Sequence, residues 1–574
     1  MNVLGISAFY HDAACCLLRD GRLVAAAQEE RFSRIKHDPR LPVAAFRFCL
    51  EKGGIGPGDL DAVAYYESPV KKLARQLWSG SRAPLDPTLQ ERAIRERLGV
   101  DAPLFYFDHH QSHAASAFFF SGFPRAALLT VDGVGEWATT TYGLGDGASL
   151  ELFEQVEFPH SLGLLYSTLT AYLGFAVNDG EYKVMGLAPY GTPRYADRLR
   201  KLVRSSPGGG FTLDMRYFDF AGGSRMGSDA MCELLGGPPR RAGAEITCFH
   251  QDVASSLQTV LEEILLEKVR WLHERTGAAD LCMAGGVALN CVANGRILRE
   301  GPFARLFVPP AAGDAGACTG AAALAHVALT GDVPDSLAHA FFGPSWSADE
   351  VAAILAATGL PVRDFRGAED ALLDEIAERL VRGEVVAWFD GPMEFGPRAL
   401  GARSLLADAR NPEMRERLNR IVKRREDFRP FAPSVLLAHA AEHFELDHAS
   451  PFMLETCRVR SPLDLPAITH VDGSARPQTV DPASAPRFAA LLEAFRKRTG
   501  CPLLLNTSFN RSGEPIVCSP EDALAAMAEP GIDALVLGSF VLDGAGVPAN
   551  WSSLSQPVQR SVSATLREDL YTFV

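Results

Sequence analysis

Ala126-Ala127-Leu128-Leu129-Thr130-Val131-Asp132-Gly133-Val134-Gly135-Glu136, followed by Ala138 to Tyr142, reads as an apolar strand, a polar glycine-bearing turn and a returning strand. The chain opens on the same layout. Val3 to Ile6 reads as a buried strand, Ser7 to Asp12 as a turn and Ala13 to Leu18 as the returning strand. Arg19-Asp20-Gly21-Arg22 then turns the chain into a third strand, Leu23 to Ala27. This recurrence predicts two similar lobes with a ligand cleft between them. Asp132, closing a buried strand and followed by glycine, is placed to point a carboxylate into that cleft, although a plain turn former would look the same. His11 and Asp12 occupy the tip of the first hairpin, where a polar pair either reaches a ligand or is simply solvated.

Between the two layouts lies Asp108-His109-His110-Gln111-Ser112-His113-Ala114, in a chain with only 14 histidines. If the segment is helical, His109 and His113 stand one turn apart on one face and can share a metal ion. The competing reading is a capped helix with ordinary surface histidines. His110 falls outside the ligand register.

With 574 residues, the chain is too long for one core, and about 150 residues per domain predicts roughly three or four compact units, some of them fused lobes. A composition of 47% apolar and 22% charged residues is that of a soluble globular protein. The net charge of -14 argues against a general nucleic-acid binder, which needs a basic surface. No apolar run reaches membrane-spanning length and Met1 to Ile6 lacks the form of a signal peptide, so the expected location is the cytoplasm, with no membrane partner. The eleven cysteines include no Cys-x-x-Cys pair and read as buried reduced thiols.

Gln28 to His37 is dense in both signs of charge and reads as a solvated segment; Lys71 to Leu98 reads as surface helices without chemistry. Gly180 to Gly191 carries Glu181, Lys183 and Gly186 in what reads as a loop able to approach a polyanion. Ile246 to Thr276 is a long amphipathic helix. Leu281 to Asn290 runs strand, Gly285-Gly286, helix, and Gly313-Asp314-Ala315-Gly316 opens an alanine-rich helix; two such crossings predict a nucleotide site. Phe341 to Ser347 looks like a domain edge. Beyond it, Gly396-Pro397-Arg398-Ala399-Leu400-Gly401 and Asn419 to Pro433 concentrate basic residues among Gly, Pro and Phe, the pattern of an anion pocket. Leu503 to Asn510 is a strand ending in hydrogen-bonding side chains.

Ten of these blocks, in order from Gly5–Asp12 through Glu29-Glu30-Arg31-Phe32 to Asn506-Thr507-Ser508-Phe509-Asn510, resemble the nodulation and antibiotic O-carbamoyltransferases. The resemblance implies an α/β chain with residues 1–345 as duplicated actin/sugar-kinase-like (ribonuclease H-like) lobes that transfer a carbamoyl group. Residues 346–574 would form a second α/β domain making carbamoyl-adenylate from carbamoyl phosphate and ATP, with magnesium accompanying the ATP. It implies iron(II) or another divalent metal on His109, His113, Asp132 and Asp314, and catalytic roles for His11, Asp12 and Arg398. Arg398, Lys423, Arg429 and Arg476 would neutralise the phosphates, while Ser404, Asn506 and Ser508 orient them. Glu181, Lys183, Gly186, Gly285, Gly286, Asn290 and Gly313 would line the nucleotide. The partner would be a small-molecule hydroxyl acceptor. Two other readings share parts of this pattern: a sugar-kinase-like phosphotransferase, which has no need of the basic second domain, and a tRNA threonylcarbamoyl transferase, which the acidic charge disfavours.

Overall fold

A computed structural model describes residues 1–79, 86–222 and 225–546. The stretch Lys71 to Leu98 is therefore described except for residues 80–85, and the expected second domain is described only to residue 546. Residues 1–29 and 37–337 form one compact unit; Glu30–Lys36 groups with 338–546 in a second.

The first unit holds two five-stranded sheets of one topology. In the first, β1 (Asn2–Ser7), β2 (Ala14–Arg19), β3 (Arg22–Gln28), β4 (Ala62–Tyr65) and β5 (Leu104–Tyr106) lie in the order β3-β2-β1-β4-β5. The first three are an antiparallel meander, and β4 and β5 continue parallel to β1. The second contains β6 (Arg125–Val131), β7 (Ala138–Asp146) and β8 (Ser149–Glu157), then a small hairpin of β9 (Val203–Ser205) and β10 (Phe211–Leu213) apart from it. It is completed by β11 (Asp280–Ala284) and β12 (Arg305–Phe307), parallel to β6. Both sheets thus share the ribonuclease H-like order 3-2-1-4-5, and the first unit is the duplicated actin/sugar-kinase type. Val3, Leu4 and Ile6 of β1 are fully buried, as expected of a central strand covered on both faces.

Two helices pack against each other between the sheets. His109–Phe118 follows β5, and Asp314–Thr330 follows β12. They meet at backbone distance because Gly320 is bare: a Cβ there would stand 1.8 Å from the Ser112 carbonyl oxygen. Gly5 makes the same allowance, with a Cβ placed 2.0 Å from the Cys318 carbonyl oxygen. Gly320→Ala is therefore expected to cost about 1–3 kcal/mol through forced separation of the helices. Its thermal midpoint should fall by several degrees; an unchanged midpoint would show that the contact yields freely.

The second unit is built on an eight-stranded mixed sheet. Its strands are β13 (Arg363–Asp364), β14 (Val386–Phe389), β15 (Arg403–Ala407), β16 (Ala432–Leu436), β19 (Gln478–Val480), β20 (Leu503–Ser508), β21 (Ala534–Leu537) and β22 (Phe540–Asp543). The order is β13-β22-β21-β14-β15-β20-β16-β19, with β17 (Cys457–Arg458) and β18 (Ser474–Ala475) forming a separate two-stranded sheet. Trp388, Phe495 and Phe509 are fully buried in its core.

Three expectations are corrected. The charged run Gln28 to His37 is not solvated: Gln28, Glu29, Glu30 and Arg31 are all buried. Glu29 turns inward to accept from the Ala44 and Ala45 amides at the start of the Val43–Gly53 helix. Arg31 pairs with Glu30 at 2.9 Å and donates to the Gly396 carbonyl within the second unit. The Lys71 to Leu98 stretch is not all surface either, since Lys72 and Arg75 are buried and Lys72 Nζ meets Glu67 at 2.6 Å. Gly180 to Gly191 is no open loop; it contains the Glu181–Leu187 helix, whose Glu181 accepts from Ser167 Oγ and the Asn178 amide.

Candidate metal and anion sites

The metal cluster assembles from four elements of the first unit. His109 and His113 lie on one helix face, Asp132 follows β6, and Asp314 opens the helix after β12. All four are buried. The two Nε2 atoms are 3.0 Å apart; Asp132 Oδ2 lies 3.2 Å from His109 Nε2 and 3.0 Å from His113 Nε2, and Asp314 Oδ1 lies 3.6 and 3.4 Å from them. Four N and O atoms at about 2.1 Å from one first-row divalent ion would be spaced about 3.0–3.4 Å, so the donor set fits such an ion. The charge fits as well, because two carboxylates and two neutral imidazoles lack two positive charges.

Backbone groups hold these donors in place. Asp132 Oδ1 accepts from the Gly133 and Gly286 amides, which turns Oδ2 toward the histidines. Gly285, at φ 94°, has no room for a Cβ, which would stand 2.3 Å from the Val131 carbonyl oxygen. The glycine pair expected to line a nucleotide thus serves Asp132 directly. Glu136 accepts from the His109 amide at 3.1 Å and the Ser68 amide at 2.6 Å, pinning the start of the histidine helix. Among the described residues no acceptor meets Nδ1 of His109 or His113, so packing orients the rings: Tyr66 lies 5.2 Å from His109, and Gly135 leaves the space beside it. His110 turns away to Thr130 Oγ1.

Burial opposes charge on His113, but Asp132 and Asp314 outweigh it and raise it to about 9. Burial likewise pushes Asp132 upward, yet the two histidines dominate and hold its carboxyl well below the usual carboxylate range.

His11 Nε2 lies 3.8 Å from Asp314 Oδ2, at the edge of this cluster. Its Nδ1 meets Asp12 Oδ2 at 3.0 Å, and the other oxygen of Asp12 meets His37 Nδ1 at 2.8 Å. One carboxylate therefore orients two imidazoles by their Nδ1 atoms, while His37 Nε2 is buried 3.6 Å from Asp179 Oδ1. His37 escaped sequence reasoning because it ends a mixed-charge run. Its positive φ of 56° and that of Asp12, 54°, are visible only in the fold.

The remaining nucleotide expectations in this unit lie on separate elements, with Met185, next to Gly186, meeting Cys291, next to Asn290, at 3.7 Å. Asn290 caps the Cys291–Glu300 helix through the Ala293 amide and bonds Gln258; Lys183 lies over the Phe175 ring; Gly186 is buried; Gly313 precedes the Asp314 helix.

In the second unit, Ser404 and Ser508 face each other across β15 and β20, and Asn506 shares their sheet face. Lys423 is buried, with Nζ on Asn510 Oδ1 at 2.7 Å and on the Ser508 carbonyl. Burial, reinforced by the charges of Arg425 and Arg429, holds its amine well below the usual lysine range. An anion bound there would relieve that strain. Asn506 Nδ2 holds the Ala399 carbonyl at 3.3 Å, Ser404 Oγ takes the Gly401 amide at 3.1 Å, and both therefore brace the loop that carries half-buried Arg398. Arg476 sits two residues before Gln478, whose Nε2 holds the Leu400 carbonyl of the same loop. Arg429 is tied to the Asn419 turn, where Asn419 Nδ2 donates to its carbonyl at 3.1 Å.

The first unit is thus a duplicated actin-type unit with a buried two-histidine, two-aspartate cluster, and the second holds a buried Lys423 and a half-buried Arg398 on a braced loop. The carbamoyltransferase N-terminus family matches residues 2–77 and 94–323, and the carbamoyltransferase C-terminus family matches 377–543. The chain belongs to the carbamoyltransferase family and is an enzyme of that class. It is 40% identical over 565 residues to nodulation protein NolNO of Sinorhizobium fredii, covering 95% of this chain and 81% of that protein. An uncharacterized protein of Synechocystis, sll1178, is 44% identical over 593 residues, covering 94% of this chain and 96% of that one. The 3'-hydroxymethylcephem-O-carbamoyltransferase of Amycolatopsis lactamdurans is 29% identical over 532 residues, with 92% and 96% covered.

Proposed function

We propose that the chain is an O-carbamoyltransferase that makes carbamoyl-adenylate from carbamoyl phosphate and ATP in the second unit and passes the carbamoyl group to a small-molecule hydroxyl in the first. The observation that carries this reading is the placement of His11 Nε2 at the rim of a cluster able to hold a divalent metal. In the second unit, Arg398, Lys423, Arg429 and Arg476 neutralise the phosphates of carbamoyl phosphate and magnesium-bound ATP. Water cleaves carbamoyl phosphate to carbamate and phosphate; a carbamate oxygen then attacks the α-phosphorus and displaces pyrophosphate. In the first unit, iron(II) or another divalent ion on His109, His113, Asp132 and Asp314 would act as a Lewis acid toward the carbamoyl oxygen. Asp12 holds His11 by Nδ1, so that Nε2, at the Asp314 edge of the cluster, takes the acceptor hydroxyl proton while the oxygen attacks the carbamoyl carbon. The bond to the adenylate oxygen breaks, leaving a carbamate ester and AMP.

These substrates are those of a cytoplasmic enzyme, and all eleven cysteines are free thiols. Among the described residues no helix is long and apolar enough to cross a membrane.

Incubation with carbamoyl phosphate, ATP and a panel of hydroxylated metabolites should give products heavier by one carbamoyl group. ATP-dependent phosphorylation of the same panel without carbamoyl phosphate would replace this reading with a kinase. Asp12→Asn should slow transfer by about tenfold or more, since partners that orient such groups are typically worth 10–100-fold, while metal content and pyrophosphate exchange stay unchanged. Unaltered transfer in that variant would remove Asp12 from the His11 arrangement.

A further inference from the structure

Arg398 sits in a loop between β14 and β15 bounded by two glycines of positive φ, Gly396 at 126° and Gly401 at 107°. Six residues of this kind would be mobile if nothing held them. Here side chains engage backbone atoms at both ends of the loop. Gly396 O accepts from Arg31, Ala399 O from Asn506, and Leu400 O from Gln478. Three amides at the loop's C-terminal end converge on one atom: Glu394 Oε1 accepts from the Leu400 amide at 2.7 Å, the Ala402 amide at 2.7 Å and the Arg403 amide at 3.1 Å, while the Gly401 amide goes to Ser404 Oγ.

Glu394 is 3% exposed, and its second oxygen, Oε2, has no hydrogen-bond partner among the described residues. A surface carboxylate satisfied by water would not adopt this one-sided arrangement. From below, fully buried Arg403 clamps the same turn by donating to the carbonyls of Asp390, Gly391, Ala402 and Pro344 while stacking 3.6 Å from the Phe389 ring centre. The C-terminal end of the loop is thus held by Glu394 and the segments flanking it by Arg403, two charged side chains of which neither faces solvent.

We propose that Glu394 is a positioning residue: its single oxygen gathers three backbone amides and so holds the Arg398 loop in the shape that receives a phosphate-bearing substrate. The inference rests on reading Arg398 as an anion-binding group. Glu394 touches no substrate, and its effect passes through loop geometry.

The test uses the full-length enzyme and carbamoyl phosphate-dependent ATP–pyrophosphate exchange. Glu394→Gln keeps an oxygen at Oε1 and should leave the KM for carbamoyl phosphate within about threefold of wild type. Glu394→Asp draws the carboxylate off the amides and should raise that KM by about tenfold or more, as should Glu394→Ala if it folds; three hydrogen bonds to a charged acceptor are at stake. Transfer from preformed carbamoyl-adenylate should be unchanged in all three. In the Arg398→Ala background, Glu394→Asp should add nothing further, the signature of two residues acting as one. An unchanged KM in Glu394→Asp, or full additivity with Arg398→Ala, overturns the proposal. If Arg398→Ala alone leaves exchange normal, the anion reading falls and takes this inference with it; if Arg398→Ala is impaired and Glu394→Asp is normal, only the positioning role falls.

Discussion

His113→Ala is expected to abolish carbamoyl transfer while leaving carbamoyl phosphate-dependent ATP–pyrophosphate exchange intact. His113 Nε2 lies within 3.4 Å of both aspartates and 3.0 Å from His109 Nε2, so its removal takes one of four donors from the cluster. Groups one step further from a metal than a ligand typically cost 10–100-fold when lost, so transfer should fall by more than about a hundredfold, equivalent to about 2.7 kcal/mol. Elemental analysis of the purified variant should show metal lost in parallel. The exchange reaction is assigned to residues of the second unit and should not respond. Loss of exchange with retained transfer from preformed carbamoyl-adenylate would reverse the division of labour.

Arg398→Ala should give the opposite pattern. A guanidinium aimed at a transferring phosphoryl group is worth about 10²–10³ in rate, so exchange should fall by that factor. Transfer from preformed carbamoyl-adenylate should continue at the wild-type rate, because every group proposed for that step lies in residues 1–29 and 37–337. Normal exchange in this variant would remove Arg398 from the anion site and leave Lys423, Arg429 and Arg476 to hold the phosphates.

The two meanders and the histidine pair were legible because their signals are local. Strand alternation, a glycine turn and an i, i+4 spacing need no knowledge of distant residues. Asp132 could be placed because it closes a strand within a repeated layout, and repetition carries long-range information in a short-range pattern; Asp314 joined it through the family resemblance. Other site features depend on contacts that sequence spacing does not encode. Glu136 serves the Ser68 amide across 68 residues, and His37 meets Asp12 across 25. In a mixed-charge run such groups look identical to solvated ones. The glycines at 285 and 286 show a need that was readable with a partner that was not: the close backbone approach is to the Asp132 carboxylate and the Val131 backbone.

The segment Glu30–Lys36 bears on how the chain can be divided. Arg34 donates to the carbonyls of Pro515 and Ile516, Arg31 to that of Gly396, and Phe32 packs against Met393, Ala399, Ile516 and Cys518. A fragment beginning at residue 338 would leave those carbonyls open and that apolar patch bare. The second unit is therefore a non-contiguous folding module that borrows seven residues from inside the first. Gene splitting or domain exchange at a single junction would produce a half that needs the Glu30–Lys36 peptide supplied in trans, and adding that peptide should restore its solubility.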